Sequence, residues 1–587
     1  MRYKELAEAY ELISGSSKRL EKTAIISTLL KKGAAEELEP IMLLLQGRIF
    51  PPGDDKKIGV ASRIVIKAIQ VATGRSKPRI ESGWNKLGDL GLVAEKMHEG
   101  RSQQTLFGSS LTTEKVLSNL AKVASLEGMG TVDRKVKLIA ELLGDAEPIE
   151  SRYIVRTVLE DLRVGVGEGI LRDAIVWAFL WQGDEIYDSE SNKLTLDQEQ
   201  RLEYNKLVES VQEAYDLTSD LGQVAKLCKE KGAEGLKTLS LSPGKPVKVM
   251  LFQKAQDIED MFERLGKPCA LEYKYDGFRL QVHKDIDHIR LFTRRQEDVT
   301  EQFPDVVAYI KEHVKAKSMI MDTETVGFST KTGRYLPFQS ISQRIKRKHN
   351  IQEIAQKFPV EVNAFDLLYL DGTNMLKKPF RERREALKSM IKPEERKIVC
   401  SELLATADKK EAEAFYKRSL SLGNEGMMGK RMDAPYKPGS RVGFGVKLKP
   451  VMQSLELVIV AAEWGEGKRS QWLTSYTLAC KDQDDNLLEI GKVSTGLKEL
   501  SESGESFELL TSMLKPLVIE EKGRLVRLKP KVIIEVQYEE IQRSPTYKSG
   551  YALRFPRFIR LRDDRSVSDI DTLETVEELY DLQRHRR

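Results

Sequence analysis

The sequence predicts a multi-domain protein in which an all-α region, an α+β region and an all-β region follow one another. Three observations predict this. The chain has 587 residues, whereas a single hydrophobic core rarely grows past about 250–300. Apolar residues recur at helical spacing through the first part, as in 24–30, 154–162 and 170–179, with few strand signals among them. Beyond that, strand-like alternation takes over, first interleaved with helices and then in short strands such as 455–460 and 532–538, before a helical tail at 573–582. The boundaries read as 1–238, 239–449 and 450–587. A hydrophobic content of 40% is enough for packed cores, and neither an internal repeat nor a long low-complexity linker interrupts the pattern.

The all-α region contains one informative loop. Leu162-Arg163-Val164-Gly165-Val166-Gly167-Glu168 separates two amphipathic helices, and its glycines would let the backbone come close to a phosphate at a helix N-terminus. A packed helix–helix turn is the plainer alternative.

In the α+β region the stretch Leu271-Glu272-Tyr273-Lys274-Tyr275-Asp276-Gly277-Phe278-Arg279 carries the most information. Period-two alternation places Leu271, Tyr273 and Tyr275 on one strand face, and Glu272, Lys274 and Asp276 on the other. Asp276-Gly277 is a turn signal, and residues 278–284 and 289–292 then read as a hairpin. Lys274 thus stands at a strand end, with Arg279 and Arg294 on neighbouring strands. An unperturbed lysine has a pKa near 10.4, so a nucleophilic amine there needs burial or neighbouring cations to lower it. Arg279, Arg294, Lys447 and Lys449 are candidates to do so while holding phosphate oxygens.

A lone K-x-D-G is weak evidence, since a surface lysine before a turn reads the same way. The order of the segments after it adds weight. Residues 321–326 form a strand bearing Glu324 near its end, and 359–370 form an apolar strand containing Phe365 and Asp366. Glu425 and Lys430 flank a glycine turn. Arg441 precedes Lys447 and Lys449, which share a strand face, and residues 554–565 form a basic strand.

In that order these segments resemble the motifs of the covalent nucleotidyltransferases, and specifically the ATP-dependent DNA ligases of the archaeal and eukaryotic replicative type. The resemblance covers nearly the whole chain, including an N-terminal region that capping enzymes and RNA ligases lack. It implies an all-α DNA-binding domain, an α+β nucleotidyltransferase (adenylation) domain and an all-β OB-fold domain. It also implies that Lys274 takes AMP from ATP as a phosphoramide. Glu272 and Arg279 then contact adenine and ribose, Phe365 stacks on the base, and Glu324 and Glu425 serve the ribose and the metals, Mg2+ or alternatively Mn2+. Arg294, Arg441, Lys430, Lys447, Lys449 and Arg565 hold phosphates. Phosphoryl transfer needs such a ring of charge, because its chemistry is mostly positioning and neutralisation.

The chain departs from the family pattern in three places. Gly429 stands where a larger apolar residue is usual, Phe444 stands near a usual tryptophan, and the basic strand leads to Asp564-Arg565 where Asp-Lys is usual. Arginine keeps the charge but changes the donor geometry.

Composition agrees with this reading and excludes others. The net charge of +5 and pI of about 8.6 suit a polyanionic partner as well as many other enzymes, and 344–348 (RIKRK) and the arginines of 554–565 are local basic clusters that could track a phosphate backbone. The charged fraction of 32% exceeds the usual quarter or so and hints at a thermophile. Cys228, Cys269, Cys400 and Cys480 are far apart and form no C-x-x-C pair, which argues against a disulfide framework and a zinc module such as NAD-dependent DNA ligases carry. No run is long and apolar enough for a membrane span, so a cytoplasmic protein is expected; a monomer is the expected state. Gln103-Gln104-Thr105-Leu106-Phe107 resembles the glutamine-led peptides with which archaeal ligases engage the sliding clamp.

The expected function is sealing of 5'-phosphate, 3'-hydroxyl nicks in duplex DNA, in replication, repair and recombination. An RNA ligase or capping-type nucleotidyltransferase would be distinguished by activity on RNA or by GTP use. A non-catalytic DNA- or clamp-binding scaffold would lack covalent labelling by a nucleotide.

Overall fold

The computed structural model describes residues 1–587 apart from 52, 53, 55, 57, 100–109, 127–129, 184–185, 337, 347–349, 440–441, 451–453, 466–468, 500–505 and 586–587. The chain folds into two compact units. The first comprises Met1–Ala412 with Met428–Lys447, and the second Glu413–Met427 with Leu448–Arg587.

In the first unit the chain begins with a series of helices running from Tyr3–Gly15 to Leu221–Leu236, packed on a common apolar core. Some of these helices start on a polar cap. Asp89 accepts hydrogen bonds from the backbone N–H of Gly91 and Leu92, and Asp220 from those of Gly222 and Gln223. The helices predicted around 154–162 and 170–179 are Pro148–Val158 and Glu168–Ile175, the latter continued by one wide turn, Val176–Leu180. A small hairpin of β1 (Tyr187–Asp188) and β2 (Lys193–Leu194) is the local exception to the helical pattern. Asp188 makes its turn by accepting from Glu190 N and Ser191 N, while Asn192 adopts φ +53°.

The α+β part is built on two sheets. The first contains β3 (Gln253–Lys254), β4 (Cys269–Lys274), β11 (Leu403–Thr406), β12 (Gly426–Lys430) and β13 (Gly445–Leu448), in the order β11-β4-β12-β13-β3. The second contains β5 (Phe278–Asp285), β6 (His288–Thr293), β7 (Ser318–Gly327), β8 (Val360–Leu370) and β10 (Ile398–Cys400), in the order β10-β8-β7-β5-β6, with β9 (Thr373–Asn374) pairing β8. Phe278, Leu280 and Val282 face an apolar core shared with Met319, Met321, Val362 and Ala364. Arg279, Gln281 and His283 occupy the alternate positions of β5 yet are buried too, so both faces of this strand are covered.

A buried polar network organises that second face. The N–H of Gly244 donates to Nδ1 of His283 (3.0 Å), which leaves Nε2 to donate to Gln281 Oε1 (3.0 Å). The Gln281 amide nitrogen donates to Asp322 (3.0 Å), and Gln281 also exchanges hydrogen bonds with the backbone of Val247. Burial first, then Arg279 and Arg290, push the His283 pKa down to about 3, so the ring is neutral at physiological pH. The network ties the segment leading out of the helical region onto the sheet. Beside it, Leu217 of the helical region packs against a cluster containing Leu241, Val247 and Tyr436.

The second unit holds an antiparallel sheet made of β14 (Leu455–Trp464), β15 (Leu473–Lys481), β16 (Leu487–Val493), β17 (Val518–Lys522), β18 (Leu525–Leu528), β19 (Ile533–Gln537) and β22 (Arg557–Leu561). A separate hairpin joins β20 (Glu540–Arg543) and β21 (Tyr551–Arg554). β14 is shared by β15, β18 and β19, and register shifts at Ile459/Ala461 and Glu463/Trp464 bend it. Apolar residues of the helices Phe507–Leu514 and Leu573–His585 join the core of this sheet.

Four local expectations are corrected. Gly426–Lys430 is strand β12, not a glycine turn, with Glu425 just before it. β13 ends at Leu448, so Lys449 lies beyond the strand that carries Lys447; Pro450 follows and has no N–H for a ladder. The basic strand expected over 554–565 is broken between β21 and β22, because Phe555 takes φ +50° and Pro556 lacks an N–H. Arg344 of the RIKRK cluster is not a phosphate-facing cation. It is fully buried, pairs with both oxygens of Asp305 (2.6 and 2.9 Å), and donates to the carbonyls of Gln302 and Phe358.

Candidate active site

Lys274 is the last residue of β4 and is half-buried, whereas the rest of that strand is buried. The turn after it requires Gly277: a Cβ there would stand 2.4 Å from the carbonyl oxygen of Thr325 on β7. This close approach of the turn to β7 brings the strand ends of the two sheets together. Any side chain at position 277 would force them apart.

Glu272, two residues before Lys274 and on the same face, is almost fully buried and strongly held. Its Oε2 pairs with Lys430 at 2.5 Å, while Oε1 accepts from the Ser401 hydroxyl (2.8 Å) and lies 3.5 Å from Arg384. Arg384 is itself fixed by the carbonyls of Ala364 and Ser401. Lys430 also lies over the rings of Phe365 (4.8 Å) and Phe380 (4.5 Å), within reach of cation–π attraction. Glu272, Lys430 and Phe365 therefore form one cluster, and Phe365 is only half-buried.

Arg279 and Glu324 are directly paired across β5 and β7. Arg279 is buried and forms an ion pair with Asp322, whose other oxygen accepts from the Tyr436 hydroxyl at 2.7 Å. Burial opposes the guanidinium charge, but Asp322 and Tyr436 outweigh it and hold the Arg279 pKa up. Glu324, next on that face of β7, is half-buried. Asp366 on β8 is clamped by Arg383. Burial works against its carboxylate, yet Arg383 and then Lys430 hold it below the usual carboxylate range.

Lys447 is half-buried on β13, opposite Lys254 of β3. Arg294 is exposed, one residue past β6. Arg441 lies outside the described residues.

Three candidates belong to the second unit. Lys449 pairs with Glu425 at 2.9 Å and with Glu539 at 3.1 Å; burial opposes its charge, but Glu425 and Glu539 hold its pKa up. Arg565 lies 3.4 Å from Glu456, which also pairs with Arg562.

One departure from the family pattern, Gly429, has a local explanation. A Cβ on Gly429 would fall 2.7 Å from Leu265 Cδ1 and 2.8 Å from Met261 Sδ, so the helix Ile258–Leu265 fills the space that a larger residue would take. Phe444 is half-buried, its carbonyl accepts from Arg431 N at 3.0 Å, and the Arg431 guanidinium lies 5.8 Å from its ring. Residue patterns alone do not single out Asp322, Arg383, Arg384, Ser401 or Tyr436. Arg383 and Arg384 lie in the run RERRE, which reads as a solvated helix face, and only tertiary structure buries them.

Three family models match consecutive parts of the chain: the DNA ligase N terminus over residues 2–176, the ATP dependent DNA ligase domain over 249–449, and the ATP dependent DNA ligase C terminal region over 469–565. The chain belongs to the ATP-dependent DNA ligases, and it is an enzyme with that activity. It is 46% identical to the DNA ligase of Nanoarchaeum equitans (strain Kin4-M), over 100% of this chain and 99% of that one. It is 40% identical to the DNA ligase of Methanopyrus kandleri, over 100% of both chains, and 40% identical to that of Thermococcus fumicolans, over 99% of both. A solved structure titled "Pmar-Lig_Pre." shares the fold at 15% identity with a TM-score of 0.56, covering 95% of this chain and 99% of that one. Among the described residues, no helix is long and apolar enough to cross a membrane.

Proposed function

We propose that this ligase seals 5'-phosphate, 3'-hydroxyl nicks in duplex DNA through a lysyl-AMP intermediate on Lys274. The Nζ of Lys274 attacks the α-phosphorus of ATP, forming a P–N bond as the P–O bond to pyrophosphate breaks. The 5'-phosphate of the nick then attacks the same phosphorus and frees the amine, and the 3'-hydroxyl displaces AMP to leave a phosphodiester. The observation that carries the assignment is the half-exposed Lys274 ending a buried strand beside the clustered Glu272, Lys430 and Phe365.

Phe365 offers a half-exposed ring on which the adenine would stack. Glu272 and Lys430 frame that ring, so we place both at the base; moving Lys430 to a phosphate would break a buried ion pair. Arg279 stands across from Glu324 and, through its Asp322 pair, fixes the strand on which Glu324 would meet the ribose. Lys447, Arg294 and Arg441 are assigned to the ATP phosphates. In the second unit Lys449 and Arg565 take the same role, and each must first release its carboxylate partner. The carboxylates of Glu324 and of Glu425, each within its own unit, are assigned to hard cations, Mg2+ or alternatively Mn2+, and Glu425 would receive one in exchange for Lys449. When bound, such an ion supplies neutralisation of phosphate oxygens.

Nicked duplex DNA is the proposed substrate, gripped in part by the helical region. The carbonyls of Val164 and Gly165 accept from Lys22 at 2.9 and 3.2 Å, and Gly165 has φ +65°. We assign this anchored loop, with Arg163, to backbone phosphates of the DNA. A fragment spanning residues 239–587 is expected to react with ATP but to bind nicked duplex weakly. Its salt dependence, measured by titration at several KCl concentrations, is expected to fall by about 0.9 in log–log slope for each phosphate that the fragment no longer neutralises. An unchanged affinity and slope would assign the helical region to a different partner.

The antiparallel second unit, with its bent β14, is proposed to be an OB-fold domain carrying Arg565 to the departing pyrophosphate. Arg565→Ala is expected to slow self-adenylation by about a hundredfold, as loss of one charge-stabilising donor does, while sealing of a pre-adenylated nick changes far less. Equal losses in the two assays would place Arg565 on the DNA. We further propose that the enzyme acts as a cytoplasmic monomer and engages the sliding clamp through Gln103–Phe107, a segment outside the described residues.

A further inference from the structure

We propose that Glu312, His313 and Glu394 form a site for one first-row transition-metal dication, of the Zn2+ or Co2+ kind. The site shares no residue with those assigned above to ATP, Mg2+ or DNA. It joins the C-terminal end of the helix Pro304–His313 to the segment that precedes β10.

Each residue offers one donor atom, and the three donors lie within 4.8 Å of one another. Nε2 of His313 is 3.4 Å from a Glu312 oxygen and 3.5 Å from a Glu394 oxygen. Ligands bound at about 2.0–2.2 Å in tetrahedral geometry lie about 3.3–3.5 Å apart, so these two separations already match those of a coordination shell.

The independent observation is the ring itself. His313 is 1% exposed, and neither of its nitrogens has a hydrogen-bond partner among the described residues. Burying an unsatisfied polar atom is costly, and a cation bound at Nε2 would remove that cost. Glu312 and Glu394 have side chains 63% and 45% exposed, which leaves an ion a route from solvent to the buried nitrogen.

The backbone around the site is already held. Lys392 N donates to His313 O at 2.8 Å, and Val314 forms a β-bridge with Ile391. A cation there would also face the negative end of the helix Pro304–His313. One imidazole with two carboxylates suits Zn2+, Co2+ or Mn2+ better than Mg2+, which favours all-oxygen shells that retain water.

Lys397 competes with the ion, since its Nζ is 2.8 Å from Glu394 and 3.6 Å from Glu312. This competition gives the test opposite signs at neighbouring residues. Full-length protein freed of metal by dialysis against a chelator is titrated with CoCl2, followed by calorimetry and by the visible absorbance of the bound ion. The wild type is expected to bind one more equivalent than Glu394→Gln or Glu312→Gln. Affinity at that site is expected to fall by about a hundredfold in each variant, the upper range seen even for loss of an outer-shell partner. Lys397→Met is expected to bind more tightly, and excess MgCl2 is expected not to displace the ion. Self-adenylation with ATP and Mg2+ at the wild-type rate would confirm that the variants are folded. Equal Co2+ stoichiometry and affinity in the wild type and Glu394→Gln would overturn the site, as would weaker binding by Lys397→Met.

Discussion

Lys274→Ala is expected to abolish self-adenylation, with a loss of about 10⁴-fold or more, because no other group on the chain replaces a missing nucleophile. ATP-dependent sealing is expected to fall with it. Binding to nicked duplex is expected to change little, since the proposed grip on DNA rests on phosphate contacts outside Lys274. Sealing of a nick that already carries AMP is expected to continue, because the last step uses the 3'-hydroxyl and not the lysine. Lys274→Arg is expected to fail like the alanine variant, as a guanidinium stays protonated. Retained labelling by α-labelled ATP in either variant would remove Lys274 from the mechanism.

The largest stability effect is expected at Arg383. This side chain is 1% exposed and binds both oxygens of Asp366 (2.7 and 3.1 Å) and the carbonyls of Lys378 and Ala434 (2.6 and 3.0 Å). Arg383→Leu leaves the Asp366 carboxylate buried beside Phe365 without its main partner, which typically costs about 3–5 kcal/mol. Calorimetry is expected to show the melting temperature of the affected transition falling by roughly 10 °C. Arg383→Leu combined with Asp366→Leu is expected to recover part of the loss, because an apolar pair leaves no charge stranded. An unchanged melting temperature in the single variant would show that Asp366 is stabilised by other groups.

Much of this architecture is legible in the residues, for a physical reason. The hairpin β5–β6 and the strands β7 and β8 have local signals, namely alternation, turn residues and length, and their positions follow from neighbours in the chain. The order of the segments around Lys274, Glu324, Phe365, Glu425 and Lys447 is likewise readable, because it depends on spacing and not on packing. Long-range partners are not readable in this way. Lys430 finds Glu272 and Arg279 finds Asp322 only after strands far apart in the chain have paired, Arg384 finds Ser401 only after its helix has packed, and each pairing turns a charge that reads as solvated into a buried one. Arg344 shows the same effect, since a basic run suggests a phosphate track while burial against Asp305 makes that residue structural. The break at Phe555-Pro556 is obscured for a different reason. The proline is visible, but the run of arginines around it suggests a single strand.

The central claim is that AMP is carried on Lys274. The most direct measurement is to incubate the full-length protein with ATP and Mg2+, digest it at neutral or alkaline pH to preserve an acid-labile phosphoramide, and locate the added AMP by mass spectrometry. The account predicts one AMP on the peptide containing Lys274, lost when pyrophosphate is added and transferred when nicked duplex is added. AMP on any other residue, or a protein that seals nicks without carrying AMP at any stage, would contradict it.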